Sequence, residues 1–122
     1  MDDRQTLIIL FGSQATGKRR PGSDTDVAVL SDHQLTLKEK TNLTVKLADA
    51  LKVSDENIDL VDLWNASPLL QFEVARSGRL LSGDPFLFTR FRVLAFKRYA
   101  DTAKFRRLRE KLMQTYVQRT HP

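Results

Sequence analysis

A chain of 122 residues, 41% of them hydrophobic, holds enough apolar surface for one core and too little length for two, which excludes a multidomain enzyme. The absence of cysteine excludes disulfide scaffolds, thiolate zinc sites and cysteine nucleophiles, and suits a reducing compartment. The net charge of +5 is unevenly placed: residues 1–84 carry ten Lys/Arg against thirteen Asp/Glu, whereas residues 85–122 carry ten against only Asp101 and Glu110, so the basicity belongs to the C-terminal segment.

Residues 6–11 (TLIILF) form a short, continuous apolar run rich in branched side chains and closed by Gly12, which predicts a strand buried on both faces. Residues 26–30 (DVAVL) predict a second strand. The intervening loop is too short for a crossover helix, so the two are expected to pair antiparallel. Residues 36–52 predict an amphipathic helix: Thr36 and Glu39 stand at capping-box spacing, and Leu43, Leu47 and Leu51 recur every four residues. Residues 57–63 (NIDLVDL) predict a third strand. Ser67-Pro68 opens a second helix, Gly78 stops it, and Arg79–Ser82 reads as a short fourth strand. Asp84-Pro85 then opens a last helix running to about residue 118, with Phe86, Phe88, Phe91, Phe96, Tyr99 and Phe105 expected in its core-facing side. Trp64, Leu69, Leu70 and Phe72 are likewise expected in the core.

These elements predict one α+β domain over residues 1–122: a small mixed β-sheet with helices packed on one face as a core of about residues 6–84, followed by a basic helical segment over about 85–118. No apolar run approaches membrane-spanning length and the N-terminus lacks the order of a secretory signal, so a soluble cytoplasmic protein is expected. No aromatic interleaving of the kind used to stack single strands stands out, so direct nucleic-acid binding is not expected. A basic C-terminal segment suits a solvated helix face or a dock for an acidic partner. His33 and His121 have no evident partner and receive no role.

The stretch from Gly12 to Lys18 (GSQATGK) supplies the two glycines and the lysine of a P-loop, but Arg19 occupies the position where a hydroxyl must hold Mg²⁺. The turn Arg20-Pro21-Gly22-Ser23 also stands where a P-loop runs straight into a helix. The loop therefore calls for another reading. Asp24 and Asp26 are two apart at the start of a strand, which puts both carboxylates on one face. Like charges so placed repel unless a cation bridges them, and hard oxygen ligands suit Mg²⁺ or Mn²⁺. Asp59, a charge between Ile58 and Leu60, completes the cluster if its strand lies beside residues 26–30, with Asp62 on the opposite face as the weaker substitute. Three acids on neighbouring strands make a two-metal site for phosphoryl or nucleotidyl transfer. Gly12 and Ser13 would then offer backbone N–H groups to a triphosphate, with Lys18 beside Arg19 and Arg20 within reach of phosphate.

Gly12-Ser13-Gln14-Ala15-Thr16-Gly17 followed by Ser23-Asp24-Thr25-Asp26-Val27-Ala28-Val29 resembles the G-S-x-A-x-G and S-D-x-D-x-x-V signature of the DNA-polymerase-β-like nucleotidyltransferase superfamily. The short length points to its minimal nucleotidyltransferase (MNT) branch, and the similarity covers roughly residues 6–90. The resemblance implies an antitoxin of a HEPN/MNT toxin–antitoxin pair, which moves AMP from ATP onto a tyrosine of its HEPN-domain ribonuclease partner. By this likeness Asp24, Asp26 and Asp59 would bind Mg²⁺ or Mn²⁺, Asp59 would also help activate the attacking hydroxyl, and Gly12, Ser13 and Lys18 would grip ATP. The alternatives are an antitoxin that occludes its toxin without catalysis and a nucleotidyltransferase acting on a small molecule such as an aminoglycoside, or on an RNA end.

Overall fold

The structure is a computed structural model that describes residues 5–12 and 24–120. Its regular elements run β1 (Leu7–Phe11), β2 (Thr25–Leu30), α1 (Leu37–Leu51), β3 (Ile58–Asp62), α2 (Pro68–Ser77), β4 (Arg79–Ser82) and α3 (Pro85–Thr120), with 3₁₀ turns before and after β3. The four strands make one mixed sheet in the order β3-β2-β1-β4. β1 is antiparallel to both β2 and β4, while β3 runs parallel to β2 after the α1 crossover.

Local chemistry sets the helix boundaries. Before α1, the Glu39 backbone N–H donates to the Thr36 hydroxyl at 3.1 Å, and the Thr36 N–H donates to the Glu39 carboxylate at 3.1 Å, a closed capping box. Ser67 caps α2 by accepting from the Leu70 N–H at 3.2 Å, with Pro68 in the first turn where no donor is required. Gly78 ends α2 for want of room. Its backbone is extended, but a Cβ there would collide with the Val74 carbonyl and the Ile9 side chain.

The helices do not share one face of the sheet, as the sequence had suggested; they cover both. Leu47 and Leu51 of α1 pack on Ile8, Leu10, Val27, Ile58 and Leu60. On the other face, α2 and α3 supply Val74, Ala75, Phe91 and Ala95 against Leu7, Ile9, Ala28 and Val61. The reason lies in the strands themselves. Ile9, Val27, Ala28 and Val29 are all fully buried, and strands apolar on both sides require a cover on both sides. The mixed α+β architecture otherwise stands as expected.

α3 departs from expectation in its first turn and in its outer part. Phe91 and Ala95 are buried, Leu87 and Phe88 pack on the core, and Phe72 of α2 stacks on Tyr99 with centroids 4.1 Å apart. Phe86 and Phe105, by contrast, are each 74% exposed. Trp64 and Leu69 also face solvent rather than the core. Among the described residues, no helix is long and apolar enough to cross a membrane.

Candidate functional site

Strand register decides which acidic groups meet. In the parallel ladder between β2 and β3, Asp26 stands opposite Asp59, and in the antiparallel ladder with β1 it stands opposite Phe11. Side chains of paired residues project to the same face, so Asp26 and Asp59 emerge side by side at one end of the sheet, on the face covered further along by α2 and α3. Asp24, two residues earlier on the chain, is exposed at the same end. Gly12 follows β1 directly and closes the site from the other side. It adopts φ +72°, and a Cβ built on it would lie 2.5 Å from Oδ2 of Asp26. Only a residue without a side chain lets the backbone turn this closely over the carboxylate.

The electrostatics follow from that crowding. The Asp26 carboxyl is held above the usual carboxylate range, first by burial, then by the negative charges of Asp59 and Asp24, and by a hydrogen bond shared with Asp59. Two carboxyl groups in such contact hold either a proton or a cation between them. A hard divalent ion such as Mg²⁺ or Mn²⁺ fits an all-oxygen donor set with an open side for phosphate. Among the described residues, no three His, Cys, Asp or Glu side chains converge as a ready-made cation cage, so the structure brings Asp26 and Asp59 into contact and leaves Asp24 at electrostatic range. Ser13 and Lys18 lie outside the described residues.

Asp62 has a different occupation. It projects to the α1 face, where its Oδ2 accepts from the Leu35 backbone N–H at 2.8 Å and its Oδ1 from the Trp64 N–H at 3.0 Å. It ties the chain before α1 to the turn after β3, with both of its oxygens engaged in that tie. His33, without a role in the sequence reading, bridges Asp32 (2.7 Å) and Glu39 (2.9 Å) in the same neighbourhood. A cleft of about 600 Å³ opens at this far end of the sheet, among Leu7, Leu30, Leu63, Trp64, Arg90 and Arg98. Leu7 and Leu30 pair four rungs away from Phe11 and Asp26, roughly 13 Å along the strands. The cleft is therefore separate from the acidic pair. Its walls come from five separate elements, which is why nothing in the sequence announced it.

A family model described as polymerase beta, nucleotidyltransferase matches residues 2–84. Among curated proteins, the chain is 35% identical over 91 residues to the protein adenylyltransferase MntA of Aphanizomenon flos-aquae, a match covering 65% of this chain and 57% of that protein. It is 43% identical over 77 residues to the protein adenylyltransferase MntA of Shewanella oneidensis, covering 63% and 53% respectively. The chain thus spans little more than half the length of these relatives. Among solved structures, it resembles a chain of a toxin–antitoxin complex with AMP-PNP (TM-score 0.72, 33% identity, 93% of this chain and 89% of that one). It also resembles a chain of the tri-AMPylated Shewanella oneidensis HEPN toxin in complex with its MNT antitoxin (TM-score 0.66, 32% identity, 93% and 86%).

Proposed function

The chain belongs to the polymerase-β nucleotidyltransferase family, and from that membership we propose that it is the antitoxin of a HEPN/MNT pair that transfers AMP from ATP to a tyrosine hydroxyl of its HEPN-domain toxin. The observation that carries the proposal is the pairing of Asp26 with Asp59 across β2 and β3 beneath the close backbone turn at Gly12. The naming of relatives as protein adenylyltransferases, and the structural likeness to antitoxin complexes, support the choice of donor and acceptor.

Asp24, Asp26 and Asp59 would hold the divalent ion. When bound, Mg²⁺ or Mn²⁺ supplies neutralisation of the triphosphate's charge. Gly12 brings main-chain N–H donors close to that phosphate chain, and Ser13 and Lys18 are assigned to grip it. Asp59 orients the tyrosine hydroxyl and accepts its proton as the oxygen attacks the α-phosphorus. The new bond joins tyrosine oxygen to AMP, the bond from the α-phosphorus to the bridging oxygen breaks, and pyrophosphate departs with that electron pair.

The test is to incubate the chain with ATP, Mg²⁺ and its HEPN partner and to follow the partner by mass spectrometry. Added AMP on a tyrosine is the expected result, and Asp26→Asn is expected to reduce transfer by about 10³-fold, on the order of 4 kcal/mol in the barrier. Toxin that stays unmodified yet neutralised would replace this proposal with occlusion. Because the charged form of Asp26 is disfavoured in the fold, its ionisation opposes folding above the ordinary carboxylate range. Without divalent ions, Asp26→Asn should therefore melt no lower than the parent at neutral pH.

A further inference from the structure

α3 has two unlike halves. Up to Tyr99 it is anchored: Nε of Arg92 donates to the Ala75 carbonyl at 3.0 Å, Arg98 donates to Gln71 at 3.1 Å, and Phe96 and Tyr99 close on Phe72. Arg106 turns back to lie 3.9 Å from the Tyr99 ring centroid. Beyond it the helix continues to Thr120, and residues 107–119 are all exposed.

This outer segment is nonetheless patterned. Phe105, Leu108, Leu112 and Tyr116 recur at steps of three, four and four, which places them on one stripe, with Met113 at its edge. They are 74%, 54%, 60%, 65% and 58% exposed in that order. Residues 104–120 would extend about 25 Å. A lone helix of this length is marginal in water, and an apolar stripe left in solvent marks a surface that is covered in the working assembly.

Charge selects the occupant. Residues 104–120 carry Lys104, Arg106, Arg107, Arg109, Lys111 and Arg119 against the single Glu110, a balance of +5 over about five turns. Two copies packed stripe to stripe would bring like charges together on both flanks, which disfavours self-association. A helix devoted to nucleic acid would present cations without needing the hydrophobic stripe between them. We infer that residues 104–120 dock as a helix into an apolar groove of another protein whose rim carries carboxylates, the stripe filling the groove and the flanking Arg and Lys meeting the rim. The inference rests on the proposed function in taking the HEPN-domain toxin as that protein.

The experiment uses the full chain and the HEPN toxin as the probe, with affinity from calorimetry and transfer kinetics on the same samples. Leu108→Glu with Leu112→Glu, and separately Lys104→Glu with Lys111→Glu on the flank of the stripe, are each expected to weaken toxin binding by at least about tenfold. Both should raise KM for the toxin while kcat at saturation holds, with helical circular dichroism and ATP affinity unchanged. The charge variant should also flatten the salt dependence of binding. Unchanged affinity in both variants overturns the inference, as does a parent that fails to bind the toxin. A parent that is dimeric by sedimentation and becomes monomeric in the leucine variant overturns it in favour of a second copy. A parent that binds a 20-nucleotide RNA at physiological salt, with loss only in the lysine variant, overturns it in favour of nucleic acid. A parent that binds but transfers no AMP refutes the enzymatic proposal and leaves the dock standing; normal transfer with unaltered variants does the reverse.

Discussion

The two ends of the sheet treat their acidic residues in opposite ways. At the far end, Asp62 accepts two backbone N–H groups and Asp32 and Glu39 share a histidine between them. At the near end, Asp26 and Asp59 face each other, and what the fold adds is further negative charge from Asp24 and partial burial of Asp26. Asp59 and Asp62 belong to the same five-residue strand and differ by three positions, so alternation alone sends them to opposite faces. A satisfied carboxylate builds structure, whereas an opposed pair stores unfavourable energy that a cation and a phosphate chain would relieve.

The largest expected effect separates these two aspartates. Asp59→Asn should lower AMP transfer by about 10³-fold, on the order of 4 kcal/mol, and leave the melting temperature in divalent-free buffer equal or higher. Asp62→Ala should do the converse: transfer at saturating toxin stays within a few fold, while urea unfolding loses roughly 1–3 kcal/mol, because the Leu35 and Trp64 N–H groups lose their acceptor. If Asp62→Ala removes transfer and Asp59→Asn does not, the assignment of ends is inverted.

Gly12→Ala comes next. An alanine at φ +72° is strained by roughly 1–2 kcal/mol, and its methyl group would meet the Asp26 carboxylate. That carboxylate is the free end of a side chain and swings aside at little further expense of stability. The site then suffers more than the fold, and transfer should fall at least tenfold while the chain remains folded at 25 °C, a split that unfolding curves and initial rates measure together. Equal losses in both would make Gly12 a structural hinge only.

Much of this was legible in the sequence. Every strand and helix announced itself, because apolar runs bounded by Gly, Pro and capping residues act locally: Thr36 with Glu39, Ser67 with Pro68, and Gly78 against Ile9. The acidic pair was legible for a related reason, a lone charge between Ile58 and Leu60 having no apolar explanation. What was not legible depends on contacts remote in the chain. That helices cover both faces follows from the burial of Val27 and Ala28 on opposite sides, a consequence the TLIILF run implied but the count of helices obscured. Phe105 and Leu108 have the spacing of a core helix and stand in solvent, since periodicity reports an apolar stripe and not what covers it. The proposed HEPN partner was suggested only by the family motif.

The smallest effect concerns the satisfied end. His33 donates from both ring nitrogens, to Asp32 and to Glu39, only as the imidazolium, and these partners raise its pKa above the ordinary histidine value, Asp32 first and Glu39 second. Asp32 is lowered chiefly by His33, and Glu39 chiefly by the Thr36 backbone N–H and then by His33. The histidine's contribution is complete below the ordinary histidine pKa and disappears as pH rises through its raised folded value. The carboxylates contribute above their ordinary range and lose that contribution as pH falls through their lowered values. The clasp is therefore fully formed only between those limits, and being exposed it shifts stability little. The ring itself reports it better than the melting curve. The NMR titration midpoint of His33 should lie above that of a free imidazole side chain, drop most in Asp32→Asn and less in Glu39→Gln. An unshifted midpoint would mean that Asp32 and Glu39 are not held by His33, and the contrast between the two ends would then rest on Asp62 alone.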